Sequence, residues 1–353
     1  DDPEAMPALG PQQVAPVTAA WDDATAALDA ESAAKAAMAA LGPARRDGSL
    51  TVAGFLIVGG GISAMGNDVG LFHYHRGTTA NYTLTVRTTD GTGSGWAGAE
   101  TTAMAALDSE ALAARAIEKA RLSRNPVAVE PGRYTVILEP QAVGDLVQIL
   151  AFYADARSAD EGRSPFTKQG GGTKLGERVV DPRVTLYSDP ADRGILAQPW
   201  DGDGLPLVRQ TWIDQGVLRT LQYSRFWAKK QGRTPTGGAN NIVMAGGTTS
   251  RDAMIRSTAR GLLVTRLWYL REVDPRTALY TGLTRDGTFL IENGRVTKSV
   301  KNMRFNESPL FLLNNIEAIG PQERLAGTEA GIPTLMPLLK ARDFNFTSLS
   351  DAV

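Results

Sequence analysis

The two histidines of this chain stand two positions apart, as His73-Tyr74-His75. Alternate residues of a strand share a face, so on a strand both rings point the same way and could offer two nitrogen donors to a metal. A catalytic zinc takes about three protein ligands, and no third ligand can be assigned beside this pair. Ordinary strand positions are therefore the favoured reading, with His73 and His75 kept as weak metal candidates. Asp201-Gly202-Asp203-Gly204 looks like the opening of a calcium loop, but no Glu lies at the final position of that pattern, and a tight turn is favoured. Arg178, Asp181 and Asp189 read as turn and ion-pair residues, because no acid/base partner can be assigned to them. Gly59-Gly60-Gly61 and Gly66 match part of a dinucleotide fingerprint without its helix or its acidic residue, so a hairpin turn is expected there. Serine hydrolysis has no support: G-x-S-x-G is missing and neither histidine has a triad context.

The elements that would carry these residues can be read from periodicity. Residues Asp1 to Pro16 are rich in Pro, Ala and Gln and read as an extended lead-in. Asp29 is a good N-cap for a helix over Ala30 to Leu41, with Gly42-Pro43 as its stop. Leu50 to Val58, Gly61 to Met65, Gly70 to Arg76 and Tyr82 to Thr88 then read as a meander of short strands split by GGG, GND and RGTTAN turns. Asp108 caps a second helix, Ser109 to Arg124, with Leu112, Ala116, Ile117 and Ala120 on one face. In PGRYTVILEPQAVGDLVQILAFYADA (131–156), alternation of Tyr134, Val136 and Leu138 predicts a strand. Past Pro140, Val143, Leu146, Val147, Leu150, Ala151 and Ala154 recur at helical spacing, so that helix is buried on most sides. The remainder is strand-rich, apart from a shorter helix near Ser250 to Gly261. Trp212, Tyr223, Phe226, Trp227, Trp268 and Tyr269 read as core or interface aromatics.

With 353 residues, 42% hydrophobic and 21% charged, the composition is that of an ordinary globular protein of one or two domains. A formal charge of −1 gives no basic stripe for phosphate neutralisation, so no nucleic-acid partner is expected. There is no apolar stretch of about 18 residues, and so no membrane partner is expected. The lack of cysteine removes disulfides and thiolate ligands, and is compatible with a reducing cytoplasm.

Several separated blocks, in order, carry a resemblance to a known family. PGRYTVILEP, LGERVVDPRVTLYSDP, WDGDGLPLVRQTWIDQGVLRTLQ and TGLTRDGTFLIENGRVTKSVKN are similar to the TldD/PmbA, or modulator of DNA gyrase, proteins over essentially the whole chain. In the metalloprotease members a His-Glu-x-x-x-His motif follows the PG-x-x-TV-x-L strand, and a cysteine near the C-terminus is a further ligand. Laying PG on PG puts Gln148, Ile149 and Tyr153 at the three motif positions, so the chain reads Gln-Ile-Leu-Ala-Phe-Tyr there. Motif positions five residues apart fall about 140° apart on an ideal helix at roughly 100° per residue, so an intact motif needs a locally distorted helix. The flexible segment Thr167-Lys168-Gln169 with Gly170-Gly171-Gly172 lies where those members close over their site; a mobile loop is the favoured reading and a substrate or partner loop the alternative.

The resemblance implies an α+β fold: a C-terminal domain (127–353) rich in antiparallel sheet with a few helices, preceded by an N-terminal α/β domain (1–126) that lacks its first segment. It implies no catalytic residue and no cofactor in this chain, with zinc in a partner subunit. The expected role is a metal-lacking subunit, resembling PmbA (TldE), of a cytoplasmic complex that degrades unfolded peptides or trims peptide precursors. A TldD-like metalloprotease subunit, in a heterodimer, or a second copy of the chain are the expected partners. The alternatives are a homodimeric peptide-binding scaffold of the same fold without proteolysis, and an enzyme with a site relocated to His73 and His75.

Overall fold

The uncharged run from Leu50 to Gly66 folds back on Phe72 to Thr88 as one long hairpin, β1 (Leu50–Gly66) and β2 (Phe72–Thr88). In the computed structural model, which describes residues 2–327 and 331–350, the two strands pair antiparallel from Leu50↔Thr88 to Gly66↔Phe72 without a register break. The expected meander of four short strands is thereby corrected. Only the stretch from Asn67 to Leu71 turns, whereas Gly59-Gly60-Gly61 and the RGTTAN run are paired strand throughout. Ladder bonds to the Thr79, Thr78 and Gly77 positions hold these glycines extended, so tertiary pairing overrides their turn preference.

β3 (Ser94–Thr101) pairs with β2 and completes an antiparallel three-stranded sheet. The short helix α1 (Asp23–Ala26), then α2 (Ala30–Arg46) and α3 (Ser109–Leu122), accompany it. Asp29 and Asp108 cap α2 and α3 as expected, accepting from the Ser32 and Ala111 amides. The Gly42-Pro43 pair does not stop α2, which runs on to Arg46. Proline removes one N–H from the ladder, but Ala40 and Ala44 are fully buried against the sheet, and Arg45 and Arg46 face the negative end of the helix dipole. Leu112, Ala116, Ile117 and Ala120 form the buried side of α3, as their spacing predicts.

Past residue 131 the strands are β4 (Gly132–Leu138), β5 (Leu186–Ser188), β6 (Gln210–Asp214), β7 (Val217–Leu218), β8 (Ile242–Met244), β9 (Arg260–Val264), β10 (Leu267–Asp274), β11 (Leu279–Thr284), β12 (Thr288–Glu292), β13 (Arg295–Ser299), β14 (Met303–Glu307), β15 (Ile316–Arg324) and β16 (Thr334–Leu349). Within the described residues they form one thirteen-stranded sheet, whose path is β13-β12-β9-β4-β16-β8-β5-β6-β7, with β10, β11, β14 and β15 joined through β16. Most pairs are antiparallel; β4–β9 and β16–β8 are parallel. The architecture is α+β, as expected, with 38% strand and 22% helix. Helices α4 (Pro140–Val147), α5 (Leu150–Tyr153), α6 (Ala156–Asp160), α7 (Arg225–Gln231), α8 (Arg251–Arg256) and α9 (Pro309–Asn314) are interspersed. Of these, α7 and α9 are not visible in the sequence pattern, each being too short for a helical period to register. No helix among the described residues is long and apolar enough to cross a membrane.

The main core lies between α4 and the middle of the large sheet. Val136, Ile137 and Leu138 of β4 are fully buried on both faces, and Ala142, Val143, Leu146 and Val147 of α4 are sealed beneath Met336 and Leu339 of β16. Each buried aliphatic side chain of this kind contributes about 1.5–3 kcal/mol. The two sheets are tied together by Lys119 of α3, whose ammonium meets Glu139 at 2.6 Å, and by Ser94, which donates to Asp286 at 2.6 Å.

Candidate functional site

β4 ends at Leu138, and Pro140 takes the first helical position of α4, where its missing N–H is no loss. The strand therefore delivers the helix straight into the core. The sequence predicts one unbroken helix to Ala154, and the structure breaks it. Ala151 N–H donates to the Gln148 carbonyl at 3.1 Å and Phe152 N–H to the Ile149 carbonyl at 3.0 Å, three residues back instead of four. The tightened turn sits at Gln148-Ile149, between α4 and α5. Tightening of this kind leaves residues five apart on different faces of the helix, so it does not by itself bring positions 148 and 153 together.

All three aligned positions are enclosed. Gln148 is 1% exposed and neither its amide nitrogen nor its amide oxygen has a hydrogen-bond partner among the described residues. Such an unpaired buried amide costs about 1–3 kcal/mol. Ile149 and Tyr153 are buried in the main core cluster. Tyr153 donates its hydroxyl to Glu272 Oε2 of β10 at 2.5 Å and lies 3.1 Å from the hydroxyl of Tyr280 of β11. Burial, followed by the bond to Glu272, holds the Tyr153 phenol well above the usual tyrosine range, and burial raises Tyr280 likewise. Tyr153 is thus a fixed hydrogen-bond donor rather than an anionic ligand.

Sequence reasoning missed the neighbours that define this place. Asp145, one turn before Gln148, is 3% exposed; it accepts from Gln141 Nε2 at 2.9 Å and from the Leu267 amide at 3.1 Å, anchoring α4 to β10. Glu272 and Tyr280 are 119 and 127 residues from Tyr153 along the chain, too far for any local pattern to connect them. Asp145 could have been found, as the one acid within an otherwise apolar helical run.

A catalytic zinc requires about three donors drawn from imidazole, thiolate and carboxylate. This place supplies a carboxamide, a hydrocarbon and a protonated phenol bonded to one carboxylate, a donor set that does not fit the metal. Among the described residues no group of three His, Cys, Asp or Glu could hold an ion elsewhere.

The remaining sequence candidates lie apart from α4. His73 and His75 sit on β2, beside a cavity of about 330 Å³, and both rings pack against Trp200 with centroids 5.1 and 6.1 Å away. His73 Nε2 is 2.9 Å from the Gly204 carbonyl, and burial lowers the pKa of His75. In this way the pair clamps the hairpin onto the 199–204 turn. That turn is the tight one expected: Asp201 Oδ1 accepts from the Asp203 amide at 3.0 Å and the Leu205 amide at 2.9 Å. Asp181 pairs with Arg183 at 2.8 Å, Asp189 accepts from the Ala191 amide, and Arg178 bridges to Val217. Gly170, Gly171 and Gly172 all take positive φ in an exposed turn closed by the Thr167↔Thr173 bridge. Trp212, Tyr223 and Trp227 are core residues, and Tyr269 is exposed.

Comparison with known proteins returned two family models, which together span most of the chain. Residues 131–348 match the PmbA/TldA metallopeptidase C-terminal domain and residues 20–124 the PmbA/TldA metallopeptidase central domain. A metalloprotease of Methanothermobacter thermautotrophicus is 26% identical over 236 residues, covering 62% of this chain and 49% of that protein. The chain thus spans about half the length of that relative. Two crystal structures share the fold: a candidate modulator of DNA gyrase from Thermotoga maritima (TM-score 0.84, 19% identity, 98% of this chain and 81% of that one) and TldE from Thermococcus kodakarensis (TM-score 0.81, 20% identity, 98% and 80%).

Proposed function

This chain belongs to the PmbA/TldA metallopeptidase family, and we propose that it is a metal-lacking subunit of a TldD/TldE-like protease complex. In this reading a metal-bearing partner supplies the zinc, activates water and cleaves the peptide in the cytoplasm. The present chain shapes the chamber that receives unfolded peptides or peptide precursors.

One observation carries the proposal: Tyr153 and Gln148 stand at the aligned ligand positions as a committed donor and a sealed amide. Chemistry of that kind neither binds a divalent ion nor lowers the pKa of a bound water. At the aligned positions the β4–α4 unit offers no donor set for zinc.

The test is metal content and hydrolysis of unfolded casein, measured on the purified chain alone and after mixing with a metal-bearing TldD-like subunit. The expected outcome is no stoichiometric zinc and no cleavage alone, with cleavage in the mixture above that of the metal-bearing subunit by itself. Stoichiometric zinc with activity in the isolated chain would overturn the proposal. Inactivity in both arms, with retained peptide binding, would leave the scaffold reading.

A further inference from the structure

Where the small sheet meets the large one there is a cavity of about 380 Å³, separate from the one beside His73 and His75. That volume lies at the small end of ligand pockets, about 300–1,000 Å³. Ser94 begins β3, Ser123 follows α3, Thr288 begins β12 and Ser299 ends β13, so both sheets contribute to the wall. Asp286 sits in the β11–β12 turn at φ 55°, a left-handed conformation that aspartate tolerates better than most residues. The turn brings its carboxylate within 2.6 Å of the Ser94 hydroxyl of the other sheet.

The floor of the cavity is a belt of enclosed polar groups, Ser94, Ser123, Asp286, Thr288 and Ser299, none more than 9% exposed. Their bonds decide what the floor can offer. Ser94 donates to Asp286, Ser123 to the Ser94 carbonyl and Ser299 to the Ser123 carbonyl, so these three hydroxyl protons are already used. The hydroxyl oxygens of Ser94 and Ser299 keep lone pairs. Asp286 accepts from Ser94 and from Arg266 Nη1 at 3.1 Å, two of the roughly four bonds a carboxylate can accept. Such a floor suits a guest that brings N–H or O–H donors. Thr288 is 1% exposed, and its Oγ1 has no hydrogen-bond partner among the described residues. A ligand bond there would relieve the desolvation penalty that an unpaired hydroxyl carries.

The rim has the opposite character. Lys301 and Asn125 stand exposed, and neither side chain has a partner among the described residues. Among those residues Lys301 is the only cation lining the cavity and Asp286 the only anion. The other lining residues exclude several ligand classes. There is no aromatic ring on which a base could stack. One carboxylate without an imidazole does not hold a metal. Pro126 and Val300 are the only large apolar residues, which gives a long hydrocarbon group little to bury against. The Asp286 carboxylate in the floor disfavours a multiply charged anion.

We propose that this cavity binds a small zwitterion, a free α-amino acid or a dipeptide with small side chains. Its ammonium meets Asp286 and the Ser94 and Ser299 oxygens, and its carboxylate meets Lys301. The site uses no residue of the α4–α5 region, so it stands or falls independently of the metal and peptidase assays.

Binding is measured on the purified chain, by calorimetry and by thermal shift, with serine and glycylserine as probes. Both are expected to bind saturably and to raise the melting temperature. N-acetylserine, which lacks the ammonium, and serinamide, which lacks the carboxylate, are each expected to bind at least about tenfold more weakly, the loss of one charge-assisted bond. Lys301→Met, at an exposed position, is expected to weaken serine about tenfold and to leave serinamide unchanged. Thr288→Val removes the unpaired hydroxyl, so without ligand it is expected to melt no lower than wild type, yet to bind serine more weakly. No saturable binding of either probe at about 10 mM, tenfold above a weak 1 mM dissociation constant, would overturn the proposal. So would glycerol or inorganic phosphate binding as well as serine, equal binding of the two blocked forms, or full serine affinity in Lys301→Met.

Discussion

At Gln148 a primary amide is shut away from solvent with both its polar atoms unpaired, at the end of a helix whose other buried polar side chains, Gln141 and Asp145, are bonded to each other. Replacing the amide by a thioether of similar volume removes two unsatisfied groups and keeps the packing. Gln148→Met is therefore expected to raise stability by about 1–2 kcal/mol, read as a higher denaturant midpoint at unchanged slope; a loss of 1 kcal/mol or more would show that the amide has a partner. Glu307 is a second buried polar group. It is 3% exposed and accepts from the Ser308 and Asn345 amides, and burial pushes its carboxyl up to about 7. Its folded pKa exceeds that of an unfolded glutamate, about 4.3. Its stabilising contribution is thus full below the unfolded value and lost as pH rises through about 7. Relative to wild type, Glu307→Gln should flatten the fall in melting temperature between pH 5 and pH 8; parallel curves would contradict this. Alignment of the PG strand located Gln148, Ile149 and Tyr153, but the bonds that decide what they can do were not legible, since Glu272 and Tyr280 belong to strands far along the chain.

The elements that were legible are those whose local signal agrees with their packing. Asp29 and Asp108 cap helices, and the apolar period of α3 marks its buried face, because the chemistry is contained within a few residues. Gly42-Pro43 and Gly59-Gly60-Gly61 misled for one reason: both are punctuation by local preference, and in both the neighbouring surface outweighs it. For α4, packing rather than propensity carries the stability. Leu146, fully buried beside Gly144, belongs to a helix that the side chain of Leu325 approaches so closely that a Cβ on Gly144 would lie 2.0 Å from it. Leu146→Ala is expected to cost about 2–5 kcal/mol, with the unfolding slope unchanged; a cost under about 1 kcal/mol would mean that the helix relaxes into the space. The large sheet could be foreseen as strand-rich, but not its order, because β4 takes both neighbours from the second half of the chain.

Across the whole molecule, the small sheet and the large one meet through several polar contacts, of which Lys119–Glu139 is the most enclosed ion pair among the described residues, at 11% and 14% side-chain exposure. Fluorescence dominated by the aromatic core of the large sheet and circular dichroism should report one coincident unfolding transition in the wild type. Lys119→Met strands Glu139 with only the more distant Arg251, at 3.6 Å. That variant is expected to separate the two transitions; coincident curves would show that the remaining contacts, Ser94–Asp286 and Arg324–Glu100 among them, suffice to couple the sheets. β16 carries the opposite kind of coupling, since β4, β8, β14 and β15 all pair with it. Its contacts with β4, such as Leu339↔Leu138, join residues about 200 positions apart. On the ribosome, at roughly 5–20 residues per second, the apolar α4 and its strand emerge roughly 10–40 seconds before the segment that seals them. For that interval the nascent chain displays an unfinished sheet and a bare greasy helix, so its birth is the moment at which it most needs a chaperone.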